Sequence, residues 1–262
     1  MKLQHLKSKI LPILFGIGLL LFWEILVDLR NIPRFLLPAP SDIGQAAFDQ
    51  WQSLLQASQV TLIITLQAFF WAFVGGLSLA ILFTRAHFVE KLLFPYVVIL
   101  QVTPVVAIAP LIIIWVGFEN VNTALIIIAW IVAFFPILTN CVAGLRAIDP
   151  NLRDLFKLYG ANSYQTLIYL EIPSALPQIL TGAKISGGLA LIGAVVAEFV
   201  AGSGNSTGLA WLIIESGNRL DIASMFASLV LLSFIGISIY YTMTAIEWFA
   251  LRHWHSSFRT FN

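Results

Sequence analysis

The sequence predicts an all-α, polytopic membrane protein, and three observations support this fold class. Hydrophobic residues fill 59% of the 262 positions and charged residues only 10%, whereas a soluble domain carries about 25% charged residues. Six apolar runs are each long enough to cross about 30 Å of hydrocarbon as a helix. Lysine and arginine are distributed unevenly between these runs, as is typical of helical membrane proteins.

The six predicted spans follow one another along the chain. They are Ile10–Val27, Val60–Phe83, Leu92–Val116, Thr123–Val142, Leu176–Val200 and Met225–Phe249. The first run resembles a secretory signal in following several lysines, but it exceeds the roughly 7–15 apolar residues of a signal core. We therefore interpret it as an uncleaved first span and expect residues 1–262 to form a single transmembrane domain.

Positive charges predict the orientation of the spans. With both chain ends inside, ten lysines and arginines fall on the inner side and three on the outer side. The inner residues are Lys2, Lys7, Lys9, Arg85, Lys91, Arg146, Arg153, Lys157, Arg252 and Arg259. The outer residues are Arg30, Arg34 and Arg219. This bias predicts cytoplasmic termini and places the polar segment Gly144–Pro177 in the cytoplasm.

The segment Leu37–Ser58, between the first two spans, is too polar to cross the membrane. Ser41 is a suitable N-cap after two prolines that break the chain. Five residues then share one helical face: Ile43, Ala47, Trp51, Leu54 and Ser58. The pattern predicts an interfacial helix on the outer surface, with a simple linker as the alternative.

The third and fifth spans contain the candidate residues of a translocation path. Polar residues and prolines in the third span indicate either a path or a kinked packing helix, because the backbone groups they free must be satisfied by protein or by water. The many small residues of the fifth span indicate tight helix packing or a smooth pore wall. The candidates are Gln101, Thr103, Pro104, Gly187, Gly188 and Glu198.

Four ionisable residues lie within or near the spans, namely Glu24, Lys184, Glu198 and Glu247. Each is costly in hydrocarbon and is therefore a functional candidate. Glu24 and Glu247 are close enough to span ends to reach headgroups, and Lys184 can extend its stem to the cytoplasmic interface. Glu198 precedes the glycine-rich loop Ala201–Gly208, so it either faces the substrate or caps loop amides.

The polar segment Gly144–Pro177 is predicted to form two short capped helices around a turn. Asp149 is a suitable N-cap, with Pro150 at the first helical position, where a missing N–H costs nothing. Gly160 can adopt the left-handed conformation that ends a helix.

A second helix is predicted directly after this turn. Asn162 or Ser163 can cap it, with Gln165 reaching back, and Pro173 is expected to end it. A rigid, exposed helix pair of this kind indicates a docking element for a partner protein.

The sequence contains no motif of an enzyme or of a self-powered pump. It has no P-loop, no His-Glu-x-x-His and no Gly-x-Ser-x-Gly elbow. The single cysteine, Cys141, lies in an apolar run without partners for a disulfide or a metal site. The net charge is +1 without a basic block, so nucleic acid is not an expected partner. We expect no cofactor, no metal and no catalytic residue.

The spacing around Gly160 resembles the EAA loop of ABC importer permeases. That loop has Glu-Ala-Ala, three residues, Gly, nine residues, Ile, one residue and Leu-Pro. Here Asp154-Leu155-Phe156 occupies the Glu-Ala-Ala positions and keeps only the acidic character of the first, while Leu170-Glu171-Ile172-Pro173 follows at the required distance. Further segments are similar to permeases of the nitrate, taurine and alkanesulfonate type: Phe35–Ser41, Pro104–Gly117, Leu176–Gly182 and Val196–Phe199.

The resemblance implies the membrane subunit of an ATP-driven importer in the bacterial inner membrane. Two copies, expected as a homodimer, would form the path, a cytoplasmic ATPase dimer would supply energy, and an extracytoplasmic binding protein would deliver a small solute. The residues it assigns to ATPase coupling are Asp154, Leu155, Phe156, Gly160, Ala161, Ile172 and Pro173. A stand-alone secondary carrier or channel is the alternative. The substrate stays open among nitrate, bicarbonate, taurine, alkanesulfonates and pyrimidine-type precursors.

Overall fold

The computed structural model describes residues 2–201 and 208–252, and all regular secondary structure within those ranges is helical. The α-helices are α1 (Lys2–Leu29), α2 (Pro40–Asp49), α3 (Trp51–Arg85), α4 (His87–Val102), α5 (Val105–Val116), α6 (Val121–Arg146), α7 (Pro150–Leu158), α8 (Ser163–Thr166), α9 (Ile172–Ala201), α10 (Leu209–Asn218) and α11 (Ile222–Leu251). A 3₁₀ helix spans Phe118–Asn120 and a π-helical turn spans Leu167–Glu171. The predicted all-α class is confirmed.

The described chain divides into two compact units. The first comprises residues 2–58 and 208–233, and the second comprises residues 59–201 and 234–252. The interior of the predicted glycine-rich loop, residues 202–207, lies outside the described residues, as does Arg259 of the predicted inner set.

Five helical segments are long and apolar enough to cross a membrane. They are Leu11–Leu29, Trp51–Arg85, Phe118–Arg146, Ser163–Ala201 and Ile222–Leu251. The predicted third span, Leu92–Val116, is instead split into α4 and α5, which are bent by 104°. Pro104 has no N–H to donate, and Thr103 before it is extended, with φ −68° and ψ 126°, so the helix ends there. Counted as one span, the bent pair gives the predicted total of six.

Helices α6 and α9 pack closely at the centre of the second unit. A Cβ atom on Gly193 would lie 2.8 Å from Cα of Ala129, and one on Gly182 would lie 2.8 Å from Cβ of Asn140. The fifth span thus uses its small residues for close helix approach, as one of the two interpretations predicts. Five large side chains of α6 are fully buried: Leu125, Ile128, Ile137, Leu138 and Leu145.

In the first unit, α2 begins differently from the prediction. Ser41 is not the N-cap, because Pro40 is already the first helical residue. Ser41 donates hydrogen bonds from its N–H (3.0 Å) and its hydroxyl (2.6 Å) to the carboxylate of Glu24. Glu24 therefore binds the first turn of α2, a role that the headgroup interpretation did not include.

The predicted single helix through Ser58 is also wrong. Helix α2 ends at Asp49, and Gln50 departs from helical geometry with φ −105° and ψ 18°. The side-chain amide of Gln50 donates a 2.6 Å hydrogen bond to the hydroxyl of Ser224, which holds the break in place. Residues from Trp51 onward belong to α3.

Candidate functional site

The polar segment after α6 begins with the geometry that its sequence predicts. The carboxylate of Asp149 accepts a 2.8 Å hydrogen bond from the N–H of Asn151 and caps α7, whose first residue is Pro150. Gly160 has φ +72°, the left-handed conformation that ends a helix. Both predictions are confirmed.

The second helix begins with the predicted capping box. Asn162 and Gln165 exchange two hydrogen bonds of 2.8 Å, each from the backbone N–H of one to the side-chain oxygen of the other. The two residues together satisfy N–H groups that a helix start leaves without partners.

The expectation that Pro173 ends this second helix is wrong. The chain is continuously helical from Ser163 to Ala201, so the segment is an extension of the fifth span. In the π-helical turn, the N–H of Ile172 donates to the carbonyl of Leu167, five residues earlier. This wider turn accommodates the proline ring, which would clash with the preceding turn of a regular α-helix.

A buried carboxylate binds two arginines beside this turn. Glu171, which is 5% exposed, accepts a 2.6 Å hydrogen bond at Oε2 from Nη2 of Arg85, at the end of α3. Its Oε1 lies 3.3 Å from Nη2 of Arg153, on α7. Because a buried charge is costly unless it is paired, the two guanidinium groups are what make this carboxylate tolerable.

Both arginines also donate to backbone carbonyls. Arg85 donates to the carbonyl of Ser163 at 3.1 Å, and Arg153 donates to that of Leu145 at 2.9 Å. The cluster of Arg85, Arg153 and Glu171 therefore connects α3, α6, α7 and the start of the α8–α9 segment. A cavity of about 280 Å³ lies beside it.

Helix α7 leaves large apolar side chains exposed. Leu155 is 45% exposed, and Leu158 and Tyr159 are each 85% exposed. On the same helix Asp154 and Lys157 form an exposed ion pair at 3.0 Å. Exposed apolar side chains that lie together are typical of a surface that binds another protein.

The predicted coupling residues occupy three positions. Asp154 and Leu155 are exposed on α7, where Phe156 is half-buried. Gly160 and Ala161 form the turn, and the half-buried Ile172 and Pro173 begin α9.

The cluster of Arg85, Arg153 and Glu171 was not predicted from the sequence. From the sequence, Arg85 and Arg153 were interpreted only as positive charges on the inner side of the membrane, and Glu171 only as a position within the Leu170–Pro173 part of the motif. An acidic residue beside an apolar run, two positions before a proline, was the available signal.

The predicted path residues form two groups. Gln101, Thr103 and Pro104 lie at the break between α4 and α5, where Gln101 and Pro104 are exposed. The hydroxyl of Thr103 donates a 2.7 Å hydrogen bond to the carbonyl of Ile99, one turn earlier. The same carbonyl also accepts the backbone N–H of Thr103 at 3.0 Å, so both donors of Thr103 bind within α4.

The second group lies on α9. A Cβ atom on Gly187 would contact Ile239, whereas one on Gly188 would meet open space. Glu198 is fully buried, and its Oε1 accepts a 2.7 Å hydrogen bond from the hydroxyl of Thr61.

The remaining two ionisable candidates contact each other. Lys184 of α9 and Glu247 of α11 form an ion pair within the second unit. The expectation was that each would reach the membrane interface separately. Within the described residues, no group of three His, Cys, Asp or Glu side chains is placed to hold a metal ion.

The fold defines a class of protein: a multi-pass helical membrane protein that presents an exposed, capped helix outside its spans. Residues 72–248 match the family described as the binding-protein-dependent transport system inner membrane component. The chain belongs to this family, and it is the permease subunit of an ATP-driven importer.

Three relatives show the extent of the similarity. A probable ABC transporter permease protein of Haemophilus influenzae is 33% identical over 95% of this chain and 96% of its own length. The riboflavin transport system permease protein RibX of Chloroflexus aurantiacus is 35% identical, with 91% and 88% covered. The formylaminopyrimidine transport permease protein ThiX of Halalkalibacterium halodurans is 32% identical, with 86% and 88% covered. Permeases named for taurine, aliphatic sulfonates and bicarbonate also match, as expected for the nitrate/taurine type.

A solved structure shows the same fold. An inward-facing conformation of the MetNI methionine ABC transporter superposes with a TM-score of 0.66 over 77% of this chain and 98% of the matched chain, at 20% identity. The predicted permease fold is thereby confirmed.

Proposed function

We propose that two copies of this chain form the translocation path of a bacterial inner-membrane importer. Residues 1–262 act as one permease domain with both termini in the cytoplasm, and the chain itself has no enzymatic activity. The excess of lysine and arginine on one side of the spans supports this orientation. A cytoplasmic ATPase dimer supplies the energy, and an extracytoplasmic binding protein delivers the solute.

Helix α7 is the coupling helix in this proposal, and its attachment through Glu171 is the observation that carries it. The exposed side chains of Leu155, Leu158 and Tyr159 contact the ATPase, while Asp154 and Phe156 complete the coupling surface. Movement of the ATPase then passes from Arg153 to the buried Glu171. From there it enters the continuous helical segment Ser163–Ala201, which crosses the membrane.

The turn between α7 and α8 keeps this connection short and stiff. Gly160 and Ala161 reverse the chain without a flexible linker, because the left-handed glycine ends α7 and the capping box of Asn162 begins the next helix. Ile172 and Pro173 then pass the movement into α9.

We place the path between the two groups of predicted residues. The 104° break exposes Gln101 and Pro104 and leaves polar groups of Thr103 at its corner. On α9, Gly188 faces open space, whereas Gly187, the residue before it, packs against Ile239, and Glu198, several turns beyond, is fully buried. A solute on this path meets polar atoms at the break between α4 and α5 and smooth backbone surface at Gly188.

The transported solute is a small nitrogen heterocycle in this proposal. The support is that relatives named for riboflavin and formylaminopyrimidine transport are 35% and 32% identical. Relatives named for aliphatic sulfonates and taurine are 25% to 28% identical.

The experiment is uptake into liposomes that contain the permease, its ATPase and its binding protein. The proposal predicts ATP-dependent uptake that Gly160→Pro abolishes, because proline cannot adopt the positive φ of this turn. Gly160→Asn is the matched control, since asparagine tolerates that conformation. Normal uptake by Gly160→Pro would contradict the coupling role. Uptake by the permease alone, driven by an ion gradient, would instead identify a secondary carrier.

Uptake of a panel of solutes into the same liposomes tests the substrate class. Riboflavin, a formylaminopyrimidine, taurine, nitrate and bicarbonate are offered one at a time with the cognate binding protein. We expect uptake of a heterocycle. Uptake of only the oxyanions or taurine would exclude the proposed class.

A further inference from the structure

An ion pair joins α9 to the C-terminal part of α11. The ammonium of Lys184 contacts the carboxylate of Glu247, and the two side chains are 24% and 15% exposed. Lys184 lies eight residues into the apolar run that begins at Leu176, roughly 12 Å along the helix. A charge at that depth is costly unless it is paired, so each side chain depends on the other.

Two further contacts extend this pairing along the helices. A Cβ atom on Gly187 would lie 3.1 Å from Cγ2 of Ile239, and one on Gly236 would lie 3.3 Å from Cδ2 of Leu191. Residue numbers rise along α9 while they fall along α11, so the helices run antiparallel at this contact. The ion pair lies at one end of it.

The glycine contacts and the ion pair differ in whether they fix the position of α11 along α9. Glycine surfaces pack closely but present no side chain that fixes the position of one helix along the other. The ion pair fixes that position, because sliding separates opposite charges in a medium of low dielectric constant. Lys184 and Glu247 therefore set the register of α11 on α9.

Helix α9 is also the helix that continues directly from the segment after α7. We propose that Lys184 and Glu247 are positioning residues for transport, which make the C-terminal part of α11 move together with α9 when the ATPase acts. This inference rests on the proposed coupling role of α7. We call the ion pair of Lys184 and Glu247 the α9–α11 latch.

The latch is tested by uptake per ATP hydrolysed in liposomes containing the permease, its ATPase and its binding protein. Lys184→Met and Glu247→Gln are each expected to lower this ratio about tenfold, within the roughly 5–150-fold range typical of coupling between two sites. The exchanged pair, Lys184→Glu with Glu247→Lys, is expected to restore it to within about twofold. Single variants that keep the ratio, or an exchanged pair that stays as low as they are, would overturn the inference.

The control is Glu215→Gln, which removes an exposed ion pair between Glu215 of α10 and Arg219, directly after this helix. It is expected to leave the ratio unchanged, since exposed pairs contribute little. A loss as large as that of the latch variants would show a general sensitivity to charge removal and overturn the inference.

A double variant tests the latch if the single substitutions prevent membrane insertion. Lys184→Met with Glu247→Met removes both charges and leaves no charge unpaired, so insertion is expected to be normal. The ratio is still expected to fall, because the apolar pair does not fix the register. A normal ratio in this variant would overturn the inference.

Gly160→Pro separates failure of the latch from failure of the coupling role. If Gly160→Pro loses uptake while the latch variants keep the ratio, the latch alone is overturned. If Gly160→Pro keeps the ratio, the coupling role is overturned, and the latch with it.

Discussion

The guanidinium group of Arg153 on α7 lies 3.3 Å from the buried carboxylate of Glu171 in the π-helical turn. This contact ties an exposed helix of nine residues to the segment that continues into the membrane as α9. An exposed helix held in this way transmits displacement, whereas one held only by its flanking loops absorbs it.

Replacing Glu171 by Gln tests this contact. The variant leaves the guanidinium groups of Arg85 and Arg153 without their carboxylate. We expect it to destabilise the protein by about 1–3 kcal/mol. This is less than the cost of breaking a fully buried ion pair, because both arginines are partly exposed. Thermal unfolding in detergent measures it. Arg219→Gln, which removes an exposed pair, should cost less than about 0.5 kcal/mol. Equal destabilisation by the two variants would show that the cluster of Arg85, Arg153 and Glu171 does not stabilise the protein.

Replacing Gly160 by Ala isolates the cost of the left-handed turn. No atom lies within 4 Å of a Cβ at this position, so the change strains only the backbone. We expect a loss of about 1–2 kcal/mol for Gly160→Ala and a smaller one for Gly160→Asn. The two apparent melting temperatures provide the comparison. A melting temperature for Gly160→Ala at or above that of the wild type would show that the turn is not left-handed.

Gly193 and Gly188 form a matched pair on α9. A Cβ on Gly193 would lie 2.8 Å from Cα of Ala129, and backbone cannot move aside, whereas a Cβ on Gly188 meets nothing within 4 Å. We expect Gly193→Ala to destabilise the fold by about 1–3 kcal/mol. Gly188→Ala should be neutral or stabilising by up to about 1 kcal/mol in the same unfolding assay. If Gly188→Ala destabilised the fold more than Gly193→Ala, the close α6–α9 contact would not lie at Gly193.

Asp221 predicts a pH dependence in the first unit. Burial alone would raise the pKa of Asp221. Three hydrogen bonds to its carboxylate, from the Ser224 hydroxyl, the Ser224 N–H and the Gln50 side chain, together with the charge of Arg219, outweigh burial. The pKa of Asp221 therefore lies below its usual range. A carboxylate with a lowered pKa stabilises the fold above about pH 4, and this contribution is lost as the pH falls through the lower, folded-state pKa.

The corresponding variant is Asp221→Ala. It should cost about 1 kcal/mol at pH 7, as the loss of a helix cap does, and the difference from the wild type should shrink below about pH 4. Asp221→Asn keeps a capping oxygen that does not ionise and serves as the control. Melting temperatures at several pH values measure the effect. A difference between the wild type and Asp221→Ala that stays constant down to pH 3 would refute the electrostatic cause.

Local signals in the sequence predicted the caps and the turn. Asp149, Gly160 and Asn162 each act on residues within one helical turn, so their spacing was sufficient. The effect of a proline was less predictable. Pro104 ends a helix, whereas the helix continues through Pro173, which follows a π-helical turn. Pro136 and Pro177 also lie inside α-helices, so a proline in the sequence does not by itself show where a helix ends.

Contacts between distant residues were not predictable from one sequence. Arg85 meets Glu171, and Lys184 meets Glu247, across 86 and 63 positions. Composition showed that charges at such places need partners, but only helix packing decides which partner is in reach. Gln50 likewise leaves the helix at a point where Ser224, far along the chain, accepts its hydrogen bond.

We propose that α7 is the surface that receives work from the ATPase, and site-specific photo-cross-linking is the most direct test of this role. A photoreactive amino acid replaces Leu158 on α7 or, as the control, Phe48 on α2, which are 85% and 84% exposed. In membranes that contain the complete transporter, the account predicts a cross-link to the ATPase from position 158 and none from position 48. No cross-link from position 158, or equal capture from both, would contradict it.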